Sequence, residues 1–257
     1  MSGFHRPAEM ADAVRLGGGE GDVAYLAGGH TLIPAIKTRL RAPDALVDLS
    51  RIAGLAGVAR DGDRLWVGAM TRHADVAASD VVRTAIPALA RLAGGIGDPQ
   101  VRNRGTLGGS VANNDPAADY PAAVLALDAT VETDRGRHAA DDFFQGMFAT
   151  ALEPGELITR VGFCVPQAAA YAKFAHPASR YALVGVFVAR YADGVRVAVT
   201  GAGPGVFRWT AAEHAIAAGA ALPPLADSGL NTDIHASAEY RAHLAGVMLA
   251  RALEAMQ

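Results

Sequence analysis

The amino-acid sequence predicts an α+β protein built as two domains, and three observations carry that expectation. Short apolar–polar alternations of strand length recur between stretches with helical spacing, and no internal repeat organises them. Two Asp-Gly pairs, Asp61-Gly62 and Asp193-Gly194, sit in or between strand-like runs as hairpin turns. The composition also changes near Pro166, which predicts a boundary dividing the chain into 1–166 and 167–257, the first part in two lobes of about 1–55 and 56–166. At 257 residues the chain is long enough for a sizeable core in either part.

In chain order, Pro7 stands near a helix start, and Met10, Ala13, Val14 and Leu16 follow at helical spacing until Gly17 to Gly19 end it. The run DVAYLAGG reads as a short strand stopping at Gly28 and Gly29, and His30 to Arg39 as the helix that follows. ALVDLS and DGDRLWVGAMT are strand-like. Val81 to Gly94 is helical in pattern and broken by Pro87. The next forty residues are rich in glycine, asparagine and aspartate, with few side chains able to build a core before Tyr120 begins an apolar helix or strand. RVGFCVP resembles a strand. YALVGVFVARY and GVRVAVTGAG read as adjacent antiparallel strands, and Ser237 to Met256 as an amphipathic tail helix.

Composition excludes several function classes. No apolar run approaches the about 20 residues a membrane span needs. The N-terminus lacks the basic region and apolar stretch of a secretory signal, so a soluble, cytoplasmic protein is expected. A net charge of −3 without blocks of like charge gives no footprint for nucleic acid. The single Cys164 excludes an intrachain disulfide and any iron–sulfur cluster held by four thiolates of this chain. Cys164 reads as a small apolar strand residue without a role. No pair among His30, His73, His138, His176, His214, His235 and His243 stands at metal-ligand spacing with a supporting carboxylate or thiol, so no metal is expected.

Two glycine-rich segments could carry chemistry. AGGHT, between a strand and a helix, offers backbone N–H groups to an anion, although on its own an ordinary turn is the better reading. Gly105-Thr106-Leu107-Gly108-Gly109-Ser110 offers several unhindered donors and two hydroxyls. Beyond it lie Asn113, Asn114, Asp115 and Asp119, where a carboxylate could accept hydrogen bonds from ribose hydroxyls, or the stretch could be an irregular surface loop with Asx turns and a helix cap at Asp119.

AGGHTLIPAIKTRL, GAMTRHAD and above all DPQVRNRGTLGGSVANNDPAADYPAAVLALDATV resemble the flavin subunits of the xanthine dehydrogenase and carbon monoxide dehydrogenase group of molybdenum hydroxylases, over nearly the whole chain. The resemblance implies a PCMH-like, two-lobed FAD domain, then a small C-terminal domain with a three-stranded antiparallel sheet and helices, with FAD in the cleft between them. It places Ala27, Gly28, Gly29, His30, Thr31 and Leu32, and Thr106, Gly108, Gly109 and Ser110, around the FAD pyrophosphate. Asp119 matches the acid at the adenosine end. Ile96 packs against the flavin or its tail, Ile158 lines the ring, and Tyr181 lies near the isoalloxazine.

One departure is visible at Asn113, where many relatives carry histidine. The cysteine-rich insertion of one branch is missing too, in line with the cysteine count. The resemblance further implies a small subunit with two [2Fe–2S] clusters and a large subunit with a molybdenum–pterin cofactor, assembled as a dimer of heterotrimers. Here the flavin receives the electrons, and no side chain is assigned as catalytic. Two rival readings are a self-contained flavin oxidase of the PCMH-like group and a flavin-free structural subunit. A Cβ at Gly108 or Gly109 is expected to block the pyrophosphate while leaving the chain folded, and loss of the Asp119 carboxylate to weaken FAD binding.

Overall fold

The computed structural model describes residues 3–256. The first lobe is small: strand β1 (Gly3–His5), helix α1 (Met10–Gly17), β2 (Val23–Leu26), α2 (Leu32–Lys37) and β3 (Ala45–Asp48). Its strands run parallel in the order β1-β3-β2. Ala13, Val47, Leu49, Ile52 and Leu55 make a core of their own beneath that sheet, and Leu157 from the next lobe completes it. The second helix is shorter than expected, because Arg39 turns left-handed at φ 61° and ends the periodicity.

The second lobe begins with the hairpin β4 (Val58–Asp61) and β5 (Arg64–Gly68), turning through Gly62 at φ 58°. Six helices follow: α3 (His73–Ala78), α4 (Asp80–Ala85), α5 (Pro87–Gly94), α6 (Pro99–Arg102), α7 (Leu107–Asn113) and α8 (Tyr120–Ala126). Pro87 separates α4 from α5 by taking the first position of the new helix, where its missing N–H leaves nothing unsatisfied. The remaining elements are β6 (Thr130–Thr133), β7 (Arg137–Ala139), α9 (Ala140–Phe143), β8 (Phe144–Gly146), β9 (Ala149–Thr150) and β10 (Ile158–Cys164). The sheet is antiparallel in the order β4-β5-β10-β6-β7, and Val161 at its centre pairs with both Val67 and Val131. All three valines are fully buried. Cys164, at the end of β10, is only half-buried rather than a core residue.

The C-terminal part holds β11 (Ala168–Ala175), β12 (Ala182–Tyr191), β13 (Gly194–Thr200), β14 (Phe207–Arg208), α10 (Thr210–Ala217) and α11 (Ala238–Glu254). Three long antiparallel strands carry the sheet, and two-residue β14 extends its edge. Ser237 starts α11 by accepting the Tyr240 N–H on its hydroxyl. One face of the sheet packs on α11 through Val184, Val186, Val188, Leu244, Met248 and Leu249. The other face presents Phe187, Ala189 and Ala198 to the core of the second lobe. Among the described residues, no helix is long and apolar enough to cross a membrane.

Candidate functional site

A cleft of about 750 Å³ opens between the two lobes. Its walls come from the β2–α2 connection and the Ala69–Met70 bend. The turn at Ile96-Gly97, the start of α7 and the Leu157-Ile158 approach to β10 complete them, and Ser179 to Tyr181 of the C-terminal part stand on one side. The volume is within the range usual for cofactor-sized pockets.

The β2–α2 connection follows from its sequence. Gly29 has φ 76°, a conformation glycine adopts without penalty. Gly28 lies so close to the second segment that an added Cβ would stand 2.8 Å from the Arg104 carbonyl carbon and the Gly105 Cα. The two glycine segments therefore touch. Among the described residues, the N–H groups of Gly28, Gly29, His30 and Thr31 have no hydrogen-bond acceptor. Four unpaired donors beside the N-terminus of α2 are the kind of arrangement that takes up a phosphate anion.

The second segment is not the loop of free donors that its composition suggests. Thr106 caps α7, accepting the Gly109 N–H on Oγ1 at 3.2 Å, and Gly108, Gly109 and Ser110 form the first turn of that helix. Leu107 donates to Thr71 O at 3.0 Å, Gly108 to Ala69 O at 2.8 Å, and Ser110 to Thr106 O at 3.1 Å. His73 N–H closes the contact on Gly105 O at 3.0 Å. The Ala69–His73 stretch thus holds the second segment in place, which gives GAMTRHAD a mechanical task. A Cβ at Gly108 would meet Ala69 at 2.5 to 2.9 Å, on its Cβ, Cα and carbonyl oxygen. The expectation that Gly108→Val leaves the chain folded is therefore corrected: the new side chain collides with the protein before any ligand.

All fifteen residues named from the sequence line this one cleft. Thr106 and Gly108 are buried, Gly109 and Ser110 half-buried, and His30 and Thr31 exposed at its rim. Ile96 and Asn113 are half-buried and Ile158 buried, whereas Tyr181 is 46 % exposed. Asp119 occupies the N-cap position of α8 but makes no capping bond, so the helix-cap reading of its side chain does not hold. Its carboxylate instead pairs with Lys173 Nζ at 2.9 Å and accepts the Tyr171 hydroxyl at 2.5 Å. Burial pushes the Asp119 carboxyl up, and Lys173 and Tyr171 oppose that by favouring its charged form.

Sequence reasoning missed several residues here. Lys173 also donates to Gly95 O at 3.0 Å and Arg180 O at 3.1 Å, tying Asp119, the Ile96 turn and the Tyr181 loop together. His73 was read as having no role, yet it is buried, lines the cleft and leaves Nδ1 without a partner. Burial, then the neighbouring His30 and Arg102, pushes its pKa down to about 4, so it is neutral. Among the described residues, no three His, Cys, Asp or Glu side chains are placed to hold a metal ion.

The residues present fit FAD. The unpaired N–H groups suit a pyrophosphate, the walls formed by Ile96, Leu157 and Ile158 suit a planar ring, and the cleft is long enough to reach from α2 to Asp119. The family described as "FAD binding domain in molybdopterin dehydrogenase" matches residues 1–167. The carbon monoxide dehydrogenase medium chain of Afipia carboxidovorans is 36 % identical, over 98 % of this chain and 95 % of that one. A carbon monoxide dehydrogenase from Hydrogenophaga pseudoflava superposes with a TM-score of 0.88 at 34 % identity, covering 98 % of this chain and 96 % of that one. Quinoline 2-oxidoreductase from Pseudomonas putida superposes at 0.89 with 26 % identity, over 100 % and 96 %. On the matched residues and these near-full-length likenesses, the chain belongs to the FAD-binding domain family of molybdopterin dehydrogenases, as the flavin-bearing medium subunit of a multi-subunit oxidoreductase.

Proposed function

We propose that this chain is the electron-transfer subunit of its complex, receiving electrons from [2Fe–2S] clusters on a small partner subunit and delivering them to a terminal acceptor. A large partner subunit carries the molybdenum–pterin centre where substrate is hydroxylated, and the whole is a cytoplasmic dimer of heterotrimers. The observation that carries the reading is the convergence of both glycine segments on one cleft with free backbone donors. Bound FAD would supply the electron relay itself. The β2–α2 connection, through Ala27 to Leu32, and the first turn of α7, through Thr106, Gly108, Gly109 and Ser110, hold the pyrophosphate. Asp119 holds the adenosine side, Asn113 lines the cleft where many relatives carry histidine, and Ile96, Ile158 and Tyr181 bound the ring. None of these side chains has to move a proton.

We divide the chain functionally at Pro166, into 1–166 for the cofactor and 167–257 as a C-terminal domain that carries Tyr181 and Lys173. The separate apolar layer beneath β11 to β13 supports that division. The test is to purify the chain with the products of neighbouring genes and record its visible spectrum. A flavin spectrum bleached by the substrate of the molybdenum subunit is expected. A colourless complex sinks the FAD assignment, and a yellow chain that oxidises a small alcohol unaided sinks the subunit assignment.

A further inference from the structure

One part of the cleft wall belongs to neither glycine segment. The β8–β9 hairpin carries Phe148 at its tip, 57 % exposed and lining the cleft, with its backbone at φ 54°. Bulky residues rarely adopt the left-handed region, because Cβ crowds the following carbonyl, whereas glycine and asparagine do so readily. Such a conformation persists when its surroundings over-determine it.

Here one residue does so. Asn114 is fully buried at the C-terminal end of α7, and is itself left-handed at φ 44°. Its Nδ2 donates to Gly146 O at 2.8 Å and to Ala149 O at 2.7 Å, on either side of Phe148. Its own carbonyl accepts the Phe148 N–H at 3.2 Å. Three hydrogen bonds therefore fix the hairpin tip to the helix whose first turn is the second glycine segment. Asn114 is absent from the cleft wall, so its side chain serves the hairpin and touches no ligand there. The fold holds an apolar ring in a disfavoured conformation with its surface facing the cleft.

The geometry points to Phe148 as a residue that packs on a planar ring of bound FAD, with Asn114 as the positioning residue that aims it. This rests on the reading of the cleft as a flavin site. FAD has two such rings, adenine and isoalloxazine, and both offer the flat heteroaromatic face a phenyl group recognises.

The experiment measures FAD affinity and the melting temperature of the flavin-free form, using the full-length chain purified with its accompanying subunits. Phe148→Asn is expected to raise the melting temperature by about 2–4 °C, since asparagine tolerates the backbone, and to weaken FAD binding by about 3- to 10-fold. Phe148→Tyr keeps the ring and stays within about 2-fold of wild type. Asn114→Gly keeps the left-handed backbone, removes the two side-chain bonds and weakens FAD binding; combined with Phe148→Asn it adds nothing, because it acts through Phe148.

Parallel titrations with ADP and FMN identify the ring, the affected ligand being the one whose ring Phe148 covers. Wild-type FAD affinity in Phe148→Asn, or full additivity in the double variant, overturns the contact. A wild-type chain that binds no FAD instead sinks the flavin reading of the cleft, a separate failure.

Discussion

Asp119 and Lys173 show how one side chain serves both the site and the fold. The carboxylate is 4 % and the lysine 11 % exposed, so each charge depends mainly on the other and on its protein partners. Removing one member of a buried pair strands the other, which costs about 3–5 kcal/mol. Asp119→Ala should therefore lower the denaturant midpoint as well as FAD affinity, and Asp119→Leu combined with Lys173→Met should recover most of the stability but not the affinity. Affinity loss without destabilisation would show that the pair is solvated. His73 gives a prediction with a definite sign. Its folded pKa, about 4, lies below the usual 6.5, so between those values the unfolded chain binds a proton that the folded chain refuses. His73 therefore contributes no pH dependence above about 6.5, and as pH falls toward 4 it withdraws on the order of 3 kcal/mol of stability. Urea midpoints measured between pH 7 and about 4.5 should fall more steeply for wild type than for His73→Phe, and parallel profiles would remove His73 from the acid response.

At the scale of the element, α7 is where the amino-acid pattern misleads most. A run of glycine, asparagine and threonine has poor helix propensity, yet Thr106 to Asn113 is a capped helix with Leu107, Gly108 and Val111 buried. Propensity loses to packing here, because only glycine lets the helix backbone approach Ala69. Gly108→Val should thus lose stability by overpacking, at least about 1–3 kcal/mol, seen as a lower melting temperature of the flavin-free chain. An unchanged melting temperature with lost flavin would restore the simpler view that Gly108 only makes room for the ligand. Other elements were legible: the Asp61-Gly62 and Asp193-Gly194 hairpins, the Pro87 break and the tail helix all follow from local signals. The glycine pair at 28–29 was legible as a turn, but that the four N–H groups from Gly28 to Thr31 stay unpaired was not, since their freedom depends on where the neighbouring loop lies. Lys173 was hidden for the same reason, because nothing within β11 reveals that its partner is 54 positions away in sequence.

Over the whole molecule, the core does not respect the sequence boundary near Pro166. Every residue of α8 is buried, and Phe187, Ala189 and Ala198 of β12 and β13 belong to the same apolar cluster as Val67, Val131 and Val161. Polar links cross at the same place. Ala182 donates to Ala117 O at 3.2 Å, Gly201 to Pro116 O at 2.8 Å, and Arg196 to Leu125 O at 3.0 Å while pairing with Asp128 and Asp141. Folding of residues 1–166 without the remainder would leave the exposed face of α8 and these carbonyls to water, a large apolar patch of the kind that drives association. The full chain should therefore unfold in one cooperative transition, with calorimetric and van't Hoff enthalpies equal, and the 1–166 fragment should aggregate or lack fixed tertiary structure. Two resolved transitions, or a monomeric 1–166 fragment with native-like near-UV circular dichroism, would overturn that expectation. The coupling also bears on the site, since Tyr181 lines the cleft from the loop between β11 and β12 and Lys173 pairs with Asp119 in its wall. Any variant that loosens the α8 contact, such as Phe187→Ala, should therefore lower the denaturant midpoints of flavin release and of unfolding together, and a release midpoint left at the wild-type value would show that the site does not depend on that contact.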